Sequence, residues 1–372
     1  MATRRTMRDV AQAAGVSVMT VSRVINRQPG VLPETAARVE RAIRQLGYQR
    51  NDTARQLRRS GQPAQIIGLL VDDLANPFYA ALARAVEDAA RRQHYVVLIG
   101  SSHDSLDRER EVVAAFCARQ VDGLILVPVA GSHRFLASQM AQGTKVVCVD
   151  RPTAGLDVDR VLVDNQRGAR DAVSRLLSQG HRRIAFLGDR PDIWTMGERY
   201  LGFQAAFAER GLEPDPHLIR HGLRSRAEAA AAVASLMEQP QPPTALFTSN
   251  DLTSMGAIDS GHAGAVALVG FDDFALADKL SPPVSVVAQD PAAMGAAAAE
   301  LLFARIGGDA SPPRELILSA RIVARGSGEI AGPRAAPEPG PAPAAGPAPE
   351  PGPAPEPGPA PEPGPALELD AP

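Results

Sequence analysis

The chain has 372 residues, 45% of them hydrophobic and only 4% aromatic, with a formal net charge of −3; that leaves room for about two or three domains and argues nothing for nucleic acid. Cys117 and Cys148 are the only cysteines and both sit in apolar runs, so they read as small core residues and exclude a disulfide framework or a cysteine metal site. No apolar stretch follows the N-terminal arginines and no run approaches the length of a membrane span, so a soluble, cytoplasmic chain with no membrane partner is expected.

The first sixty residues are the most informative. Thr6 to Asn26 reads as two short helices joined by a tight turn, where Gly15 suits the positive φ of the turn and Ser17 can cap the second helix. Val10, Ala11, Ala14, Val16, Val21, Val24 and Ile25 have the helical spacing of one buried face. Val18, Met19, Ser22, Arg23 and Asn26 are left on the opposite face of the second helix. A narrow exposed face behind a helix-turn is suited to a DNA major groove. Charge supports this, since residues 1–65 hold twelve arginines and four acids, a net +8 against −3 for the whole chain. A basic module on an acidic body is the footprint of a phosphate-binding domain on a carrier that does not bind DNA.

A third helix runs from near Pro33, with Glu34 in its first turn, to Gly47, and turns Val39, Ile43 and Leu46 inward. Residues 51–60 follow as a polar, helix-compatible segment too short to be stable alone. From Gln65 the pattern becomes strand then helix: Ile66–Val71, a helix from Pro77, Tyr95–Ile99, a helix from Ser105, and Gly123–Val127, with Val146–Val149 closing that half. A second series has strands Arg183–Leu187, Thr244–Phe247 and Val266–Val269 and helices near 165–180, 197–210 and 225–238. Buried strands separated by helices predict two parallel, doubly wound α/β subdomains. Ligands in such sheets bind beyond the carboxyl ends of the strands, where Asp72-Asp73, Asp150-Arg151, Asn250-Asp251 and Asp272-Asp273 gather. The run from Pro333 to Ala366, built of Pro, Ala, Gly and Glu, cannot bury a core and is expected to be an extended, disordered, solvating tail. The organisation expected is a DNA-binding domain over 1–50, a hinge over 51–65, a core over 66–326 and a low-complexity tail over 327–372.

RDVAQAAGVS at 8–17, TVSRVIN at 20–26, LGY at 46–48, the segment 51–58, IGLLV at 67–71, NPF at 76–78, VGFDD at 269–273 and QD at 289–290 together resemble the LacI/GalR family of bacterial transcriptional regulators over residues 6–326. The resemblance implies a helix-turn-helix headpiece and a core like the periplasmic binding proteins. It also implies a homodimer on a near-palindromic operator, a repressor held to the nucleoid, whose DNA affinity is set allosterically by a small effector, usually a sugar or sugar derivative. By that resemblance Val18, Met19 and Arg23 read bases; Arg23 suits guanine O6 and N7, and the two apolar side chains suit a thymine methyl. Ser17, Thr20, Ser22 and Asn26 would rest on phosphates. Leu57 matches the family's minor-groove wedge, with Arg55, Arg58 and Arg59 on the flanking phosphates.

In the core, Phe78, Asp150, Arg199, Asn250, Asp272 and Gln289 fall at or near the family's effector positions, and Trp194, the only tryptophan, either stacks on a pyranose or packs at the hinge. Asp150, Asn250 and Asp272 also have a plainer reading as strand-end turn or cap residues. Residues 256–269 are shorter than the family pattern, which bears on the cleft near Asn250, and no C-terminal leucine heptad follows, so a dimer and not a tetramer is expected. A sugar-binding transport receptor is the main alternative for the same core, and the headpiece counts against it. The seven histidines fall in no hydrolase elbow, zinc helix or phosphate loop, so no catalytic residue, metal or cofactor is expected.

Overall fold

The computed structural model describes residues 6–25, 28–46 and 64–333, with Gly358. Helix α1 (Met7–Ala14) opens on a reciprocal cap, in which Asp9 N–H donates to Thr6 Oγ1 at 3.4 Å and Thr6 N–H donates to Asp9 Oδ2 at 2.7 Å. It ends at Gly15, whose φ of +61° glycine adopts without the cost that most residues with a Cβ incur. Helix α2 (Val18–Ile25) follows after the three residues Gly15, Val16 and Ser17, and α3 (Pro33–Leu46) starts with proline at its first position, where no N–H is needed. Val10, Ala11, Ala14, Val21, Val39 and Ala42 form the buried centre of these three helices, with Val16, Val24, Ile25, Ile43 and Leu46 partly buried around it. Of the expected hinge only residues 64–65, and of the expected tail only residues 327–333 and Gly358, are among the described residues. Ser327 and Gly328 are buried and Glu329 pairs with Arg175 at 2.8 Å, so the chain stays packed on the second subdomain past residue 326.

Two six-stranded sheets follow, with strands numbered in chain order. The first contains β1 (Ile66–Val71), β2 (Val96–Ser101), β3 (Gly123–Leu126), β4 (Lys145–Val149), β5 (Asp159–Val163) and β11 (Glu315–Leu318), in the order β11-β5-β4-β3-β1-β2. The second contains β6 (Ile184–Leu187), β7 (Ile219–Arg220), β8 (Ala245–Thr248), β9 (Ala267–Phe271), β10 (Ser285–Ala288) and β12 (Arg321–Val323), in the order β12-β10-β9-β8-β6-β7. Among the described residues all strand pairings are parallel except β10 with β12, which is antiparallel, so both sheets are dominated by parallel pairing as expected.

Helices cover both faces of each sheet, so inner strands such as β1 and β3 are apolar along their whole length, and β8 is buried throughout and apolar up to its last residue, Thr248. On the first sheet, α4 (Pro77–Arg92) and α11 (Pro291–Ile306) pack on one face, with α5 (Leu106–Cys117) and α6 (Leu136–Ala141) on the other. On the second, α7 (Asn165–Ser178) and α8 (Trp194–Ala208) face α9 (Arg226–Met237) and α10 (Asp251–Asp259) across the sheet. Cys148 is fully buried in β4, where burial pushes its thiol up to about 12, and Cys117 is half-buried; both are free.

The first half does not close at Val146–Val149. The chain leaves the first sheet after β5 into α7 of the second subdomain, returns after β10 through α11, and crosses again from β11 to β12. Strands β5 and β11 therefore pair across 155 residues, Arg160 opposite Glu315. Helices α7 and α8 approach closely at Gly202, where an added Cβ would lie 2.2 Å from the carbonyl of Gln166.

Candidate functional site

A cavity of about 320 Å³ lies between the two sheets, at the low end of the usual range for small-molecule sites. Its walls are the carboxyl ends of strands from both subdomains, as the doubly wound topology requires.

The first wall is built around Asp150 and Arg151, directly after β4. Asp150 has φ +70°, and its N–H donates to Val161 O at 2.9 Å, so the backbone turns out of the sheet at this residue. Aspartate is among the few residues with a Cβ that adopt this conformation readily, and such strain gathers at ligand sites. Asp150 accepts from the Tyr79 hydroxyl at 3.1 Å. Burial holds its carboxyl above the usual range, with Arg151 and Arg199 opposing that shift. Arg151 is itself buried and donates to Asp72 at 3.1 Å, to Asp104 at 3.4 Å and to the Tyr79 oxygen at 3.3 Å. His103 and Asp104, at φ +47° and +55°, form a second left-handed turn in the wall. Phe78 and Asn76 complete it from the start of α4, where Asn76 caps the helix through Phe78 N–H at 2.8 Å.

The second wall repeats the device. Asp272 follows β9 at φ +71°, and its N–H donates to Val287 O at 2.9 Å. Its two oxygens accept from Arg199 Nη1 at 3.2 Å and from Gln289 Nε2 at 2.5 Å. Arg199, on α8, also donates to Asn165 Oδ1 at 2.8 Å and to the Ser249 carbonyl, and lies 3.7 Å over the Phe271 ring. Asn250 lines the cleft while capping α10, accepting from Thr253 N–H at 2.8 Å. Next to it Asp251 is buried, and burial together with Asp272 pushes its carboxyl up to about 6. Gln289 Oε1 is buried with no partner among the described residues. The two walls are joined by Arg190, which follows β6 and pairs with Asp104 of the first wall.

Of the seven expected cleft residues, Phe78, Asp150, Arg199, Asn250, Asp272 and Gln289 line this cavity. Trp194 is not among the residues that line it, which leaves the alternative reading of Trp194 as a packing residue. At about 100° per residue, Trp194 lies roughly 200° round α8 from Met196, which faces the cleft together with Thr195 and Arg199. Asp104, Asp189, Arg224 and Tyr79 also line the cavity and carry no motif. Their only sequence signal is a position beyond a strand or on the first turn of a helix. The shortened stretch 256–269 leaves the cleft intact at Asn250, and α9 and α10 are tied by the Arg226–Asp259 pair at 2.9 Å.

On the headpiece, α2 presents Val18 and Met19, 42% and 67% exposed, beside exposed Arg23. Ser17 caps the helix, accepting from Thr20 N–H at 3.1 Å, and its hydroxyl lies 2.9 Å from that of Thr20; Ser22 is half-buried. Asn26, Arg55, Leu57 and Arg58 lie outside the described residues. Among the described residues no cluster could hold a metal ion, and no helix is long and apolar enough to cross a membrane.

Residues 6–51 match the model for bacterial regulatory proteins of the lacI family, and residues 173–328 match that for a periplasmic binding protein-like domain. The transcriptional regulator CelR of Thermobifida fusca is 33% identical over 87% of this chain and 98% of its own. A solved CelR–cellobiose complex is similar at 30% identity and a TM-score of 0.64, covering 87% of this chain and all of that one. The Cra regulator of Pseudomonas putida, solved with fructose 1-phosphate, is 28% identical with a TM-score of 0.65, over 70% of this chain and 98% of its own.

Proposed function

The chain belongs to the LacI family of bacterial regulatory proteins, and from that premise we propose that it is a repressor that binds its operator as a homodimer and is controlled by a sugar-like effector in the cleft. The observation that carries this reading is the convergence of Phe78, Asp150, Arg199, Asn250, Asp272 and Gln289 on one cavity between two subdomains, in a chain that also bears a helix-turn-helix. The proposed organisation is a DNA-binding domain over 1–50, a hinge over 51–65, an effector core over 66–326 and a tail over 327–372.

Helix α2 enters the major groove with Arg23 donating to guanine and with Val18 and Met19 against thymine methyls. Ser17, Thr20, Ser22 and Asn26 position it on the backbone, and the hinge residues Arg55, Leu57 and Arg58 act at the operator centre. In the cleft, aspartate oxygens accept from sugar hydroxyls, Gln289 Oε1 gains the donor it lacks, and the Phe78 ring covers a C–H face. A ligand that touches both walls biases the arrangement of the subdomains and with it the spacing of two headpieces in the dimer. Operator and effector must then alter each other's affinity by the same factor.

Enrichment from a random duplex pool tests the reading. A near-palindromic site should emerge, and Arg23→Ala should weaken binding to it by about 1–3 kcal/mol while binding to random DNA falls much less. Equal losses on both would reduce Arg23 to a phosphate contact, and failure to enrich any site would remove the proposal.

A further inference from the structure

We infer that the effector carries no negative charge: the cleft admits a neutral or cationic hydroxyl-rich molecule and rejects phosphate esters and sugar acids. This rests on the reading of the cleft as the effector site. The family itself leaves the charge class open, since a cellobiose complex and a fructose 1-phosphate complex are both found among the solved relatives.

Seven aspartates and three arginines line the cleft among the described residues, a nominal excess of four negative charges. Two of the three guanidiniums, those of Arg151 and Arg199, are already engaged by the protein's own groups, although Arg151 Nε makes no hydrogen bond among the described residues. Arg151 is divided among Asp72, Asp104, Asp150 and Tyr79, and Arg199 among Asn165, the Ser249 carbonyl and Asp272. Arg224 is exposed and makes no side-chain hydrogen bond among the described residues, but it stands in the field of Asp104 and Asp189.

Helix N-termini, the other common anion acceptors, are largely occupied as well. The first turns of α4 and α10 are capped by Asn76 and Asn250, and Leu252 N–H donates to Asp251 at 2.7 Å. Among the described residues only α8, beginning after Ile193, opens on the cleft without a side-chain cap. The acids by contrast have capacity to spare. Buried Asp251 and half-buried Asp189 each accept one hydrogen bond from a neighbouring backbone N–H and no side-chain bond among the described residues. Burial raises both carboxyls, so a ligand hydroxyl or ammonium relieves a cost that a phosphate would increase.

Calorimetry on the full chain with matched sets tests this: neutral mono- and disaccharides, their phosphate esters, the corresponding uronic acids and the amino sugars. A neutral or amino sugar should bind, with its phosphate ester weaker by about tenfold or more. An Asp189→Asn, Asp251→Asn double variant should narrow that gap. An ester or acid that binds as tightly as its parent sugar, or a gap the double variant leaves unchanged, overturns the inference while the cleft reading stands. If no compound of any class binds, the cleft reading itself fails and the inference falls with it.

Discussion

The two walls of the cleft use one backbone device and secure it differently. Asp150 and Asp272 both leave a central strand in the left-handed conformation, each with its N–H bonded to the next strand and its carboxylate beside a buried arginine. In the first wall that arginine is the next residue, Arg151, and three aspartates and a tyrosine of the same subdomain surround it. In the second wall it is Arg199 on α8, placed by groups that are 34, 50 and 73 residues away. The first wall is redundant, with one carboxylate adjacent in the chain and the other partners of Arg151 47, 72 and 79 residues away. The second depends on a single side chain that several elements must bring into position.

Arg199→Ala should break the second wall. It strips a buried Asp272 of its charged partner, an omission that usually costs about 3–5 kcal/mol. Urea unfolding should register a loss of that order, and the effector-dependent change in DNA affinity should disappear. A loss under about 1 kcal/mol would mean that the wall is as redundant as its counterpart.

Asp251 sharpens the contrast through pH. Its folded pKa of about 6 lies above the ordinary carboxylate value, so its protonated form favours the fold. Stability is therefore greatest below about pH 4 and declines as pH rises towards 6, by on the order of 3 kcal/mol from this group. Asp251→Asn should remove that decline. The difference between variant and wild type, from unfolding at a series of pH values, should grow between about pH 4 and 6 in favour of the variant. A flat difference would show that the carboxyl is solvated.

Tyr79→Phe should have the smallest effect. It deletes one hydroxyl from a wall where Asp150 keeps Arg151 at 3.6 Å, so a loss of about 1 kcal/mol with the effector response retained is expected. Loss of the response would show that the first wall also hangs on one group.

These contrasts follow what was legible in the chain. Asp150-Arg151 could be read because partner and turn are adjacent, and α1 and α2 because Gly15, Ser17 and the apolar spacing are local signals. Trp194 could be read either way because a lone tryptophan at the start of a helix carries no signal of which face it takes; on α8 it lies roughly 200° from Met196, which lines the cleft. Asp104, Asp189 and Arg224 went unread because they lie on loops with no periodicity, and only the two subdomains facing each other bring them into one cavity.

Local order along the chain accounts for the helix-turn-helix, its exposed Val18, Met19 and Arg23, the alternation of strand and helix, and the polar residues at the strand ends. Each is set by the spacing of apolar and turn residues along a few turns of chain. Tertiary structure alone decided that β5 and β11 extend the first sheet, that the chain crosses between subdomains three times, and that Arg199 meets Asp272 and Arg190 meets Asp104. Periodicity encodes which face is buried but not what it is buried against, and these partners are 73 to 155 residues apart.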